Sequence, residues 1–145
     1  MIDRAVGLGL ALPGAAVLGL ARWLEPSPTG VGTHLQLGLN PCVVLALTGV
    51  PCPMCGMTTT FAHMADGHLL LALRNQPAGV VLFGLTVVGT ALGLYDLVVG
   101  SGAWRRTLAW ISAREARIAL WLLVVMLGGW IYKVLLLGGF LRLGS

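Results

Sequence analysis

The chain has 145 residues, 57% of them hydrophobic and 10% charged, with a net charge of +4 and a mean hydropathy of +0.91. Soluble domains carry roughly 25% charged residues, so the polar surface here cannot cover a soluble particle. This excludes a soluble enzyme, a disordered tail and a small secreted disulfide knot, and leaves a single-domain integral membrane protein.

The first apolar run extends from Ala5 to Ala21, between Arg4 and Arg22, with Trp23 just beyond. Crossing the hydrocarbon core takes about 20 helical residues, so a span over about 5–24 is expected. Pro13 kinks such a helix without forbidding it in a membrane. A signal peptide is the competing reading. No small-x-small cleavage site followed by a soluble domain accompanies the run, which favours a retained anchor.

From Pro26 to Ala65 there is no charged residue, yet Pro26, Pro28, Pro41, Pro51 and Pro53 break the stretch. Its continuous apolar pieces are too short to span. Residues 25–76 are therefore expected to form a cap of short helices lying in the membrane interface. Within it, Cys52 and Cys55 form a Cys-x-x-Cys pair stiffened by Pro53, and Gly56 supplies the positive φ of a sharp turn. The spacing predicts one helix over about Thr59–Ala65 and another over His68–Asn75, stopped by Pro77. That places Cys55 just before a helix N-terminus, where a thiolate is favoured.

The second run is Gln76–Tyr95, predicting a span over about 77–97. Its Gly84, Gly89 and Gly93 are spaced for close helix contact, and Gly89–Gly93 is a Gly-x-x-x-Gly pair. The segment 101–115 carries Trp104, Trp110, Arg105, Arg106 and Arg114, and reads as interfacial and cytoplasmic. The third run, Ile118–Leu141, predicts a span over about 116–140. Only Lys133 interrupts it, after Trp130 and Tyr132, and this lysine is expected to snorkel to the headgroups. Arg4, Arg105, Arg106, Arg114 and Arg117 fall on one side of such a protein; Arg22, Arg74 and Arg142 fall on the other. The positive-inside rule puts the arginine-rich side in the cytoplasm and the cysteine cap outside. The lipid bilayer is the first partner. Basic residues this few and scattered, without a motif, give no sign of nucleic-acid binding.

The run Cys52-Pro53-Met54-Cys55-Gly56-Met57-Thr58 resembles the signature of the bacterial membrane family called domain of unknown function 2752, Cys-Pro-x-Cys-Gly-x-Thr-Arg, followed by a Gly and an Asn-Pro leading into a span. Gly67, Ala72, Arg74 and Gln76-Pro77 supply the downstream match. Thr59 stands in place of the arginine and Gln76 in place of the asparagine, so no anion contact at position 59 is carried over. The resemblance implies a small three-span protein of a bacterial inner membrane and no particular activity.

Three arrangements are open to Cys52 and Cys55. An oxidising exterior favours a disulfide. A metal site would use both thiols, with His63 or His68 completing it if Gly67 breaks the helix between them. A packed thiol pair is the third. Cys42 makes an odd number, so it joins a disulfide or serves as a third ligand. Zinc suits such a site; copper(I) is suggested less strongly by Met54, Met57 and Met64. Gly56 occupies the place where haem attachment needs histidine. His34 reads as solvated or bonded to a carbonyl. No strand pattern supports a thioredoxin-like enzyme, no second Cys-x-x-Cys supports a quinone-linked thiol oxidase, and Asp3, Glu25, Asp66, Asp96 and Glu115 are too dispersed for paired acid–base work. The sequence thus points to an all-α protein with three transmembrane helices and a cysteine-bearing cap between the first and second. Its expected role is a non-catalytic accessory or scaffold subunit packed against other membrane chains or copies of itself. The alternative is a thiol-redox or zinc- or copper-binding protein using Cys52 and Cys55.

Overall fold

The computed structural model describes residues 2–143, with side chains described for residues 3–135. The Arg142 side chain and the end of the third predicted span lie outside those described side chains. Among the described residues the regular secondary structure is all helical, without strands. Three helices are long and apolar enough to cross a membrane: α1 (Ile2–Trp23), α5 (Pro77–Val99) and α7 (Glu115–Leu143), the last over Glu115–Leu135. Between α1 and α5 lie a 3-10 turn (Thr33–Leu37) and the short helices α2 (Val43–Thr48), α3 (Met57–Ala65) and α4 (Leu69–Asn75). The amphipathic α6 (Ala103–Ser112) connects α5 to α7.

Helix α1 packs chiefly on α5, and the contact depends on residues without side chains. A Cβ on Gly7 would stand 2.7 Å from the Gly93 carbonyl oxygen and 2.8 Å from the Leu97 nitrogen; one on Gly93 would stand 2.9 Å from the Ala11 nitrogen. These obstacles are backbone, which cannot swing aside. Gly93 therefore makes the close approach its spacing suggests. Gly84 and Gly89 do not: both face open space, so the Gly-x-x-x-Gly pair is used at one end only. The reason is helical periodicity: the face of α5 that meets α1 continues through Thr90, which lies against Gly14.

Two ends can be told apart. At one, Asp96 is 1% exposed, and its carboxylate accepts hydrogen bonds from the Ser101 hydroxyl (2.8 Å) and the Ala103 and Trp104 backbone N–H groups (2.9 and 2.6 Å). The start of α6 is thereby fastened to the end of α5. Asp3 pairs with Arg105 there at 3.0 Å, and Arg114 lies over the Trp110 ring at 4.6 Å. At the other end sits the cap, tied to α1 by Arg22–Asp66 at 3.0 Å. Its outer surface is apolar: Leu35, Leu39, Val43, Leu47, Leu69 and Leu70 are exposed, as suits a surface in contact with lipid.

Introducing Leu at Gly7 or Gly93 should separate α1 from α5 and destabilise the protein by about 1–3 kcal/mol, the usual cost of overpacking. Gly89→Leu should leave the thermal midpoint unchanged. Melting the three variants in the same mild detergent checks this; an equal effect at position 89 would refute the assignment of the helix contact.

Candidate metal centre

The cap is built around the turn that carries the Cys-x-x-Cys pair. The Cys55 N–H donates to the Cys52 carbonyl at 2.9 Å, closing the turn, and Pro53 sits at its exposed corner. The two sulfurs lie 3.3 Å apart. Gly56 follows with φ 87° and forms the N-cap of α3, so the sharp turn falls where the sequence places it. No side chain would fit there in any case: a Cβ on Gly56 would stand 2.6 Å from the Gly30 carbonyl oxygen and 3.1 Å from both the Asn75 amide nitrogen and the Lys133 Nζ.

Cys42 completes the group. It is the N-cap of α2, and that short helix folds back so that the ligand atoms of Cys42, Cys52 and Cys55 all lie within 4.8 Å of one another. The three thiols form part of the wall of an open cavity of about 640 Å³, which Met54, Met57, Leu45 and His34 also line. His34 is held by the Asn40 carbonyl at 3.2 Å, the carbonyl-bonded state expected for it.

The thiols are not equivalent. The Leu45 backbone N–H, followed by the thiols of Cys55 and Cys52, lowers the Cys42 pKa from 9.0 to about 7. Burial, reinforced by the neighbouring thiols, pushes Cys55 up to about 12. The thiol expected to ionise easily, Cys55 before a helix N-terminus, is thus the most protected. It is 7% exposed, and the cost of desolvating its thiolate outweighs the helix end. Cys42, in partial contact with solvent, is the thiol that ionises more readily.

His63 and His68 stand apart from the thiols. Helix α3 ends at Asp66–Gly67, and this break brings the two imidazoles together edge to face, with centroids 6.2 Å apart. The expected interruption at Gly67 is present, but it pairs the histidines with each other; neither belongs to the cluster of ligand atoms formed by the cysteines. Burial, together with the nearby His68, lowers the His63 pKa.

Beneath the cysteine loop runs a set of buried polar side chains. Asn75, 7% exposed, donates its amide to the Gly56 carbonyl and to the Thr60 hydroxyl, both at 2.9 Å. Lys133, from the third long helix, donates to the Asn75 side-chain oxygen and to the Gly30 carbonyl at 3.1 Å. The Gln76 amide donates to the Pro53 carbonyl at 2.9 Å and the Trp130 indole to the Pro51 carbonyl at 2.7 Å. Thr33 and Thr59 share a hydrogen bond of 2.8 Å. Lys133 does not snorkel to the headgroups: it is 1% exposed, because the carbonyls of the irregular cap backbone offer it acceptors closer than water. Thr59, in place of the family's arginine, is a buried cap fastener, and Gln76, in place of its asparagine, holds the cysteine turn. Asn75 and Thr33 have no role in the sequence reading, and Trp130, expected there as an interfacial neighbour of Lys133, bonds the cap instead.

Residues 42–90 match the model of a family described as Protein of unknown function (DUF2752). The match takes in all three cysteines, Gly56, Asn75, Gln76 and the first half of α5, and so joins the cysteine cluster and part of its hydrogen-bonded support in one stretch; Gly30, Thr33, Trp130 and Lys133 lie outside it. No curated protein and no solved structure matches the chain. The three apolar helices, the cysteine cluster and the likeness of residues 42–90 to a family of unknown function are therefore what is established, and the cluster is the group of metal-type ligand atoms among the described residues.

In the reduced, metal-free protein, alkylation by iodoacetamide should fall first on Cys42, its rate rising with pH through about 7 as the thiol ionises. Cys55, raised to about 12, should stay unmodified over the same range. Peptide mass spectrometry of the alkylated protein reads both sites; faster labelling of Cys55 would contradict the assignment.

Proposed function

We propose that this is a membrane-anchored metal-binding protein, holding one thiophilic ion, zinc or cuprous copper, on Cys42, Cys52 and Cys55. The observation that carries the reading is the convergence of a third thiol from a separate helix on the Cys-x-x-Cys pair, all three ligand atoms within 4.8 Å. Zinc–sulfur bonds of ~2.3 Å put the sulfurs of a tetrahedral site ~3.8 Å apart, so small movements suffice to close the group on an ion. A disulfide between Cys52 and Cys55 would leave Cys42 without a partner; a metal uses all three.

Three protein ligands and an open cavity leave a fourth position facing outward, as in sites that exchange a ligand rather than in closed structural centres. Met54, Met57 and His34 line that opening, and thioether sulfur suits copper(I). Such a site supports an accessory role: an anchored subunit that keeps or hands over an ion for a neighbouring membrane chain. We place the cap on the extracytoplasmic side of a bacterial inner membrane, with spans near 5–24, 77–97 and 116–140 and the segment 101–115 in the cytoplasm. Support comes from the arginines: Arg4, Arg105 and Arg106 gather at the end opposite the cap, where Asp3 pairs with Arg105.

Two measurements test this. Protein purified without chelator should carry about one ion per chain, lost in Cys42→Ser, Cys52→Ser and Cys55→Ser alike and retained in His63→Ala and His68→Ala. Metal retained in Cys42→Ser, or lost with a histidine, would replace the three-thiol set with the two-thiol, two-histidine one. A metal-free protein two hydrogen masses lighter before reduction would favour the thiol-redox reading. For topology, a single cysteine at Thr29 in a cysteine-free background should react with an impermeant reagent on intact spheroplasts. One at Ser112 should react only after permeabilisation; the reverse pattern would invert the orientation.

A further inference from the structure

We propose that Lys133 is the counter-cation of the metal–thiolate complex, and that it makes the site charge-balanced for a divalent ion of the zinc class. This inference rests on reading the three thiols as a metal site. Lys133 is the one buried cation among the described residues; the arginines with described side chains are all exposed. Its two hydrogen-bond acceptors, the Gly30 carbonyl and the Asn75 amide oxygen, are neutral. The two ion pairs among the described residues, Arg22–Asp66 and Arg105–Asp3, do not include it. A charge taken out of water needs an opposite charge nearby, and no carboxylate serves: Asp96, the buried acid, is committed to the far end of the molecule, where it caps α6.

What Lys133 does face is the cysteine turn. Its Nζ would be 3.1 Å from a Cβ on Gly56, the residue after Cys55. Asn75, which accepts from Lys133, also donates to the Gly56 carbonyl. The ammonium is thus fixed against the backbone that carries two of the three thiols. Three thiolates, one divalent cation and one ammonium sum to zero charge. With a cuprous ion the same assembly keeps one negative charge, which is costly in a cap covered by apolar side chains. A strut that only tied α7 to the cap would need the donors of Lys133 and not its charge, and that difference can be measured.

The test uses the full chain in detergent, with zinc and cuprous affinities read by competition with chromophoric chelators in the wild type, Lys133→Gln and Lys133→Met. Glutamine keeps a donor for Asn75 and removes the charge, so it serves if the methionine variant fails to fold. Both variants should bind zinc about tenfold or more weakly, and cuprous copper more weakly still, because its three-thiolate complex carries one further negative charge facing the lost ammonium. Equal losses for the two ions would make Lys133 a strut and overturn the proposal. So would zinc affinity within about threefold of the wild type in either folded variant. A wild type that binds no zinc, or binds it just as well without Cys42, would instead remove the metal reading itself.

Discussion

The hydrogen bonds that Lys133 makes under the cap set the terms for the rest of the molecule. An ammonium group in an apolar span is expensive to leave unsolvated, and an irregular loop at membrane depth leaves backbone carbonyls that water cannot reach. Each problem answers the other. The carbonyl of Gly30 and the amide of Asn75 receive the Lys133 protons, and Asn75 passes the constraint on to Gly56 and Thr60. The third long helix, the loop after the first and the start of α3 are thereby locked in one arrangement, and the cysteine turn is part of it.

That locking explains how a stretch broken by five prolines presents three thiols in a fixed geometry. The turn at Cys52–Cys55 closes on its own backbone hydrogen bond, but its position depends on distant side chains. Gln76 and Trp130 hold the carbonyls of Pro53 and Pro51. These groups satisfy cap carbonyls where helices α2 and α3 do not reach. Cys42 is brought in by α2, whose own faces are exposed and apolar. A lipid surface pressing on Val43 and Leu47 would hold α2, and with it the third thiol, against the turn.

The helical spans were legible because long apolar runs bounded by arginines have few other meanings, and α3 and α4 were legible from the break at Gly67 and the stop at Pro77, α3 starting two residues earlier than expected, at Met57; α2, a short run of apolar residues, was not. The Cys-x-x-Cys turn could be read for the same reason: it is local. The partnership of Cys42 stays open in the sequence between a disulfide and a third ligand, since nine residues lie between it and Cys52 and nothing in their order fixes the path between. The two histidines misled because a helix break can bring them together, and does, without bringing them to sulfur. Lys133 is the instructive case. Its neighbours Trp130 and Tyr132 form the pattern of an interfacial anchor, yet one of them, Trp130, bonds the cap. The signal available was the lysine itself, a single charge in an otherwise apolar run, which more often marks a buried partner than a headgroup contact when irregular backbone lies close by.

The central claim is that one ion is held by three cysteine sulfurs with an outward fourth position. X-ray absorption at the zinc edge of the zinc-loaded protein tests it most directly. Three sulfur scatterers at about 2.3 Å and one lighter atom would be the expected first shell. Two sulfurs with two imidazole nitrogens, or a shell of oxygen and nitrogen alone, would contradict it.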